Sequence, residues 1–93
     1  MLKVFEYFEG KVKSIAFENS QGMATVGVMD KGEFEFVTST VEYMMVVSGI
    51  LTVLLPGSKD WKIYGKGESF LVPADKKYRV KVSEQTAYYC RYE

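Results

Sequence analysis

The chain has 93 residues, the length of one small domain, so we expect a single domain over residues 1–93. Its 12 Lys and Arg balance its 12 Asp and Glu. A formal net charge of zero argues against nucleic acid or a membrane surface as a partner, because both attract proteins through bulk positive charge. The sequence has no histidine and one cysteine, Cys90. That composition excludes Ser-His and Cys-His nucleophiles, an intrachain disulfide and a multi-cysteine zinc site.

The segment after Met1 has no apolar run long enough for a signal peptide or a membrane span, and we therefore expect a cytoplasmic protein. Aromatic residues make up 15% of the chain. They suit either the core of a small all-β domain or the lining of a pocket or a subunit contact.

Short apolar runs alternate with polar residues at a period of two, and no helical stripe persists. The acidic and aromatic residues 1–10 are expected either to add an edge strand or to pack across a partner. The remaining pattern predicts roughly eight to nine short strands, as in a sandwich or small barrel. These strands are expected within residues 12–17, 23–30, 33–36, 41–55 (two strands), 61–64, 69–72, 76–82 and 87–92.

Two turns are predicted to close hairpins. Asp30-Lys31-Gly32 separates residues 23–30 from Glu33–Phe36, and Ser48-Gly49 interrupts the hydrophobic stretch Val41–Leu55. Because glycine readily adopts a positive φ, both positions suit a tight turn between paired strands.

Two spacings resemble the paired signature motifs of the cupin barrel. Glu42 is followed by six residues and Gly49, and Gly67 is followed by five residues and Pro73. The fold class expected from this resemblance is an all-β, cupin-like barrel or sandwich of the jelly-roll type. The histidine ligands of cupin motifs would fall near Phe36, Thr38 and Tyr78 here. None of these side chains replaces an imidazole, so we expect no metal and no cofactor.

A more specific resemblance covers essentially the whole chain. Its motifs are Glu6–Ile15, Val26–Met29, Gly32–Phe34, Ser48-Gly49, Leu54–Gly57, Trp61 and Tyr88–Tyr92. In this order the sequence resembles the small bacterial pyrimidine/purine nucleoside phosphorylase family. The resemblance implies a cupin-like homodimer and a pentosyltransferase activity. That activity is reversible phosphorolysis of purine and pyrimidine nucleosides to the free base and α-ribose 1-phosphate, with inorganic phosphate as co-substrate.

The chain departs from the family pattern at two positions. Met45 stands where the pattern has a threonine, and Lys76 follows a turn where a small or polar residue is usual. We expect the first change to remove a hydroxyl near the pocket and the second to add charge at its rim.

Glu42 and Arg91 are the catalytic candidates. Phosphorolysis passes through an oxocarbenium-like state, by analogy with glycoside hydrolysis, and a carboxylate can stabilise it while accepting hydrogen bonds from ribose hydroxyls. Alternation places Glu42 on the face of Met44 and Val46, and the alternative is a charge at the end of a strand that simply reaches water. The planar guanidinium of Arg91 can donate two parallel hydrogen bonds to the oxygens of a phosphate. Alternation along the strand instead directs Arg91 outward with Tyr89, into a surface or dimer ion pair. Lys13, with Lys11 and Ser14, is an alternative phosphate ligand.

Tyr78, Trp61, Tyr92 and Ser48 are the remaining candidates for substrate binding. Tyr78 stands at a cupin ligand position, so it is expected to point into the barrel, where its ring could stack on a base. Each aromatic has an alternative role in the core or an interface. Cys90, flanked by aromatics, is expected to be buried and inert.

Two other classes of function fit the same fold. One is a non-catalytic barrel that binds a nucleoside or sugar, and the other is a structural dimerisation module whose aromatics all serve core and interface.

Overall fold

The computed structural model describes residues 2–93 and is built of β-strands, as the sequence predicts. The N-terminal segment supplies an edge strand, again as predicted. The described residues form ten strands: β1 (Lys3–Tyr7), β2 (Val12–Asn19), β3 (Gly22–Met29), β4 (Gly32–Val37), β5 (Glu42–Ser48), β6 (Ile50–Leu54), β7 (Lys62–Gly65), β8 (Ser69–Val72), β9 (Lys77–Val82) and β10 (Thr86–Tyr92).

The strands form two antiparallel sheets that pack face to face. The six-stranded sheet has the order β1-β2-β3-β10-β5-β8, and the four-stranded sheet has the order β4-β9-β6-β7. From β3 onward the chain passes repeatedly from one sheet to the other, so most neighbours within a sheet are distant in sequence. This interleaving is the jelly-roll arrangement, and it confirms the predicted fold class.

Both predicted hairpins are wrong. Strands β3 and β4 lie in different sheets, and so do β5 and β6, so the turns between them carry the chain across the sandwich. At Gly49 the crossing is sharp, with φ of +105°, and an added Cβ would lie 3.0 Å from the Cα and Cβ of Thr86. Thr86 stabilises the start of β6 after this crossing, because its hydroxyl accepts a hydrogen bond from the Ile50 N–H over 3.1 Å.

The inner faces of the sheets supply the core. Its fully buried aliphatic residues include Val12, Val46, Leu51, Val53, Val72 and Val80. Each such side chain stabilises the fold by roughly 1.5–3 kcal/mol relative to an exposed position. Aromatic and polar inner-face residues from β4, β5, β9 and β10 surround an open space beside this packed part.

The outer face of the six-stranded sheet carries a continuous apolar row. Val4, Ile15, Val26, Tyr89 and Met45 are register partners in turn across β1, β2, β3, β10 and β5. Four of these side chains are between 37% and 63% exposed, and Tyr89 is half-buried. We call these five residues the outer row. Met45 therefore faces away from the interior, so the expectation that this position alters a hydroxyl near the pocket is wrong.

Residues 2–93 include no helix that is long and apolar enough to cross a lipid bilayer.

Candidate active site

A cavity of about 250 Å³ lies between the two sheets, near the lower limit of small-molecule pockets at about 300 Å³. Its lining combines hydroxyl, carboxyl, thiol and apolar side chains and contains neither lysine nor arginine. The lining residues are Tyr7, Phe8, Ser14, Met29, Glu35, Phe36, Val37, Glu42, Met44, Tyr78, Tyr88, Cys90 and Tyr92.

Glu42 is the partly buried carboxylate of this cavity. It begins β5 and pairs in register with Tyr92 of β10. The Cys90 thiol donates a hydrogen bond to Glu42 Oε1 over 3.7 Å. Burial raises the pKa of Glu42 above 4.5, because removing water disfavours the ionised form, while the hydrogen bond from Cys90 acts in the opposite direction.

The neighbouring groups on β10 stay protonated near neutral pH. Burial, reinforced by the negative charge of Glu42, raises the pKa of Cys90 to about 12. Burial also raises the pKa of Tyr92 above its usual 10. The Tyr92 hydroxyl shares a hydrogen bond with Thr25 Oγ1 over 3.1 Å. These contacts hold the wall behind Glu42 in a defined geometry.

A second hydroxyl cluster lies where β2, β3 and β10 meet. Ser14 and Tyr88 are both register partners of Gly27, on either side of it. The Tyr88 side chain crosses directly over Gly27, where an added Cβ would lie 2.6 Å from Tyr88 Oη and 2.7 Å from the Lys13 carbonyl oxygen. Only glycine leaves room for this approach. Burial raises the pKa of Tyr88 to about 12 despite a hydrogen bond with Ser14, so its hydroxyl remains neutral.

The four-stranded sheet contributes an aromatic wall. Phe36 and Tyr78 are register partners and stack with ring centroids 5.4 Å apart at 27°. Phe8, from the turn after β1, meets Phe36 edge-on at 5.5 Å. Burial, with the nearby charge of Glu42 as a lesser cause, raises the pKa of Tyr78 well above 10, so Tyr78 also carries a neutral hydroxyl.

These groups define what the cavity can bind. The partly buried carboxyl group of Glu42 and the exposed one of Glu35 accept hydrogen bonds, several neutral hydroxyls donate or accept them, and an aromatic wall offers stacking. This combination suits a neutral ligand that carries hydroxyls on one part and a planar ring on another.

The cavity brings together four of the candidates predicted from the sequence: Glu42, Tyr78, Tyr92 and Ser14. Arg91 lies on the opposite face of β10, because side chains alternate along a strand. Its guanidinium lies 4.8 Å from the centre of the Tyr43 ring and pairs with Glu93 over 3.0 Å. In a single chain Arg91 therefore does not reach a ligand beside Glu42.

The other candidates also lie outside the cavity. Trp61 packs under two cations of the four-stranded sheet, with Lys81 Nζ at 4.2 Å and Arg79 at 5.5 Å from its ring centre. Ser48 is exposed at the end of β5. Lys13 forms an exposed ion pair with Glu6 over 3.6 Å.

Several lining residues are not among the substrate-binding candidates predicted from the sequence, notably Tyr7, Phe8, Glu35 and Tyr88. Alternation along β10 places Tyr88 on the face of Cys90 and Tyr92, so strand parity was the available signal for it. Phe8 had no such signal, because it lies in a turn.

The positions that hold metal ligands in cupins do not fit a metal here. Phe36 has no donor atom. The Thr38 hydroxyl is engaged by backbone, donating to the Pro73 carbonyl over 2.6 Å and accepting from the Lys76 N–H over 3.1 Å. Tyr78 retains its proton. Within residues 2–93, no group of three or more Cys, Asp or Glu side chains is arranged to hold an ion.

The jelly-roll topology and a cavity between its sheets define a protein of the cupin-like class. A solved RmlC-like cupin from Shewanella frigidimarina superposes with a TM-score of 0.75 and 22% identity, over 96% of this chain and 80% of that one, which shows the shared fold. A protein of unknown function from Vibrio parahaemolyticus is closer, with a TM-score of 0.94 and 42% identity over 100% of this chain and 99% of that one.

The comparison of sequences is more specific. The family model described as pyrimidine/purine nucleoside phosphorylase matches residues 2–92. A protein of that name from Pseudomonas entomophila is 59% identical over 92 residues, covering 99% of this chain and 98% of the relative. The chain belongs to the pyrimidine/purine nucleoside phosphorylase family, as its motifs indicated.

Proposed function

We propose that this protein is a nucleoside phosphorylase that cleaves purine and pyrimidine nucleosides reversibly with inorganic phosphate. The products are the free base and α-ribose 1-phosphate. The observation that carries the proposal is the position of Glu42, a partly buried carboxylate facing a hydroxyl-lined cavity in a chain whose residues 2–92 match this family. A relative that aligns with 99% of this chain is named pyrimidine/purine nucleoside phosphorylase.

In the proposed reaction a phosphate oxygen forms a bond to C1′ of the ribose as the N-glycosidic bond breaks. The electron pair of that bond passes to the base nitrogen, which then takes a proton. Positive charge develops on the sugar in the transition state. Ionised Glu42 stabilises this charge and accepts hydrogen bonds from ribose hydroxyls, and the aromatic wall of Phe36 and Tyr78 supports the base.

Phosphate binding is assigned to hydroxyl donors. Since no cation lines the cavity, a phosphate beside Glu42 depends on neutral donors to offset the repulsion between two anions. Ser14 and Tyr88 provide such donors on the wall formed by β2 and β10. Hydrogen bonds from neutral hydroxyls to an ionised oxygen are roughly twice as strong as those between neutral groups. The proposed reaction needs no metal and no organic cofactor, because phosphate is itself the nucleophile.

The proposed enzyme is a cytoplasmic homodimer. Its one buried free cysteine is compatible with a reducing compartment. The dimer contact is assigned to the outer face of the six-stranded sheet. That face spans about 24 Å across the strands and about 26 Å along the longest ones, or roughly 600 Å², near the 800 Å² that each partner buries in a standard interface. With zero net charge, two copies meet without overall repulsion.

Val26 lies at the centre of the outer row, so Val26→Glu tests the dimer. We expect sedimentation to give a dimer for the wild type and a folded monomer for the variant. Ile63→Glu, an equally drastic change at an exposed position on β7, is the matched control and is expected to remain dimeric. A monomeric wild type at micromolar concentration, or a dimeric Val26→Glu variant, would reject this interface.

The activity is tested by incubating purified protein with phosphate and either inosine or uridine. We expect phosphate-dependent release of hypoxanthine or uracil together with a stoichiometric amount of ribose 1-phosphate. Treatment with a metal chelator is expected to leave the rate unchanged. Nucleoside binding without any release of base would instead identify a non-catalytic binding barrel.

A further inference from the structure

The turn between β1 and β2 is strained. Phe8 and Glu9 both adopt a left-handed backbone conformation, with φ of +53° and +58°. The turn closes with a hydrogen bond from the Gly10 N–H to the Tyr7 carbonyl over 3.2 Å. Gly10 is left-handed as well, with φ of +86°, and the Lys11 N–H donates to the Phe8 carbonyl over 3.2 Å. Such positions usually hold Gly or Asn, because other residues clash with their own backbone. The sequence Phe-Glu thus occupies a turn that it does not favour.

The strain places the Phe8 ring at the mouth of the cavity. The ring lies 4.9 Å from Phe34 and 5.5 Å from Phe36, measured between ring centroids. Phe8 nevertheless remains 42% exposed, so much of the ring is uncovered by protein. Packing against two phenylalanines therefore does not use the whole aromatic surface, and the uncovered part adjoins the cavity.

Phe8 continues the aromatic wall outward. From Phe8 the rings pass to Phe36 and then to Tyr78, at successive centroid distances of 5.5 and 5.4 Å. Glu42 lines the same cavity. The cavity thus has an aromatic zone at its mouth and a carboxylate beyond it, the two chemistries that a base and a ribose require.

We infer that Phe8 is a substrate-contacting residue that completes the subsite for the base of the nucleoside. This inference rests on the proposed function. The base stacks on the uncovered face of Phe8, beside the edge-on ring of Phe36, while the ribose extends toward Glu42. Stacking does not distinguish one base from another, since every base has an aromatic face. A phenylalanine at the mouth therefore contributes affinity for purines and pyrimidines alike, because it does not recognise the hydrogen-bonding edge of the base.

The test separates the ring from the strained turn that presents it. The double variant Phe8→Asn/Glu9→Gly has the residues preferred in this turn and lacks the ring. Glu9→Gly alone relieves strain at a residue outside the cavity lining and keeps the ring. Phe8→Trp retains an aromatic surface. Thermal unfolding followed by circular dichroism establishes that each variant is folded, and Glu9→Gly is expected to unfold at a higher temperature than the wild type.

We expect the double variant to raise KM for both inosine and uridine about tenfold, within the range of base stacking on an aromatic side chain. KM for phosphate should change less than twofold. Glu9→Gly and Phe8→Trp should retain KM values for nucleosides within about threefold of the wild type. An unchanged nucleoside KM in the folded double variant overturns the inference, and so does an equal rise in the Glu9→Gly control.

Calorimetric titration with inosine in the absence of phosphate distinguishes this inference from the proposed activity. A wild type that binds inosine but releases no base contradicts the proposed function, and a tenfold weaker affinity in the double variant would still support the role of Phe8. A wild type that neither binds nor cleaves nucleosides overturns both.

Discussion

The Cys90 thiol donates its hydrogen bond to Glu42 Oε1 over 3.7 Å, across neighbouring strands of the six-stranded sheet. Because the pKa of Cys90 is raised to about 12, the thiol keeps its proton throughout the pH range in which an enzyme works. Cys90 is therefore a positioning residue: its hydrogen bond favours the ionised form of the Glu42 carboxylate and fixes the orientation of that group.

Removal of this donor should shift the pH profile of catalysis. Cys90→Ala takes away a contact that lowers the pKa of Glu42, so that pKa rises further and the acid limb of kcat/KM moves to higher pH. At pH 6 we expect kcat/KM to fall severalfold more than at pH 8. Cys90→Ser keeps a donor and should return the limb toward the wild-type position. An equal fall in kcat/KM at both pH values would show that Cys90 acts through packing alone.

Glu42→Gln should lower the activity of the protein and raise its stability at neutral pH. Because burial raises the pKa of Glu42, its contribution to folding is fully present below pH 4.5 and is lost as the pH rises through the raised value. Urea unfolding should therefore show a more stable variant than the wild type at pH 7, with the difference vanishing near pH 4. We expect kcat to fall about 100- to 1000-fold at pH 7. A less stable variant at pH 7 would mean that other contacts compensate the buried charge.

Arg91→Ala should leave phosphate use almost unchanged. Arg91 packs on Tyr43 outside the cavity and forms an exposed pair with Glu93, so we expect KM for phosphate to stay within about twofold of the wild type. Exposed pairs of this kind contribute about 0.2–1 kcal/mol to stability. Arg79→Ala, at the other arginine of the chain, is the control. A tenfold rise for Arg91→Ala alone would assign Arg91 to phosphate binding, with a second copy of the chain bringing it to the site.

Gly49→Ala should destabilise the fold. The new Cβ would lie 3.0 Å from buried Thr86, and φ of +105° is unfavourable for alanine. We expect denaturant unfolding to show a loss of roughly 3 kcal/mol, combining overpacking with backbone strain. The matched control is Gly57→Ala, which also has a positive φ but no atom within 4 Å of an added Cβ, and should cost only about 1 kcal/mol. Equal losses of stability in the two variants would show that the contact with Thr86 is not the cause.

Strand alternation was the strongest predictor of the candidate site. It placed Glu42 on the face of Met44 and Val46 and directed Arg91 outward with Tyr89, and the structure has both of them so. Alternation succeeds because it is a local property of an extended backbone. The motifs also indicated the family and the fold class, which the family model and the topology confirm.

Local sequence patterns could not predict which strands pair within a sheet. A glycine with positive φ, such as Gly49, suits a hairpin and a crossing between sheets equally well, since both require the same backbone turn. The choice between them depends on which distant strands pair, and β5 pairs with β10 and β8 rather than with β6.

Length, charge and the absence of histidine defined a small, neutral protein, and period-two alternation determined which side of each strand its side chains face. The tertiary structure decided which inward-facing residues meet. Tyr88 crosses Gly27 toward Ser14, and Phe8 reaches Phe34 and Phe36 from a strained turn. These contacts join residues far apart in the chain, and only the pairing and packing of two complete sheets brings them within a few ångströms of one another.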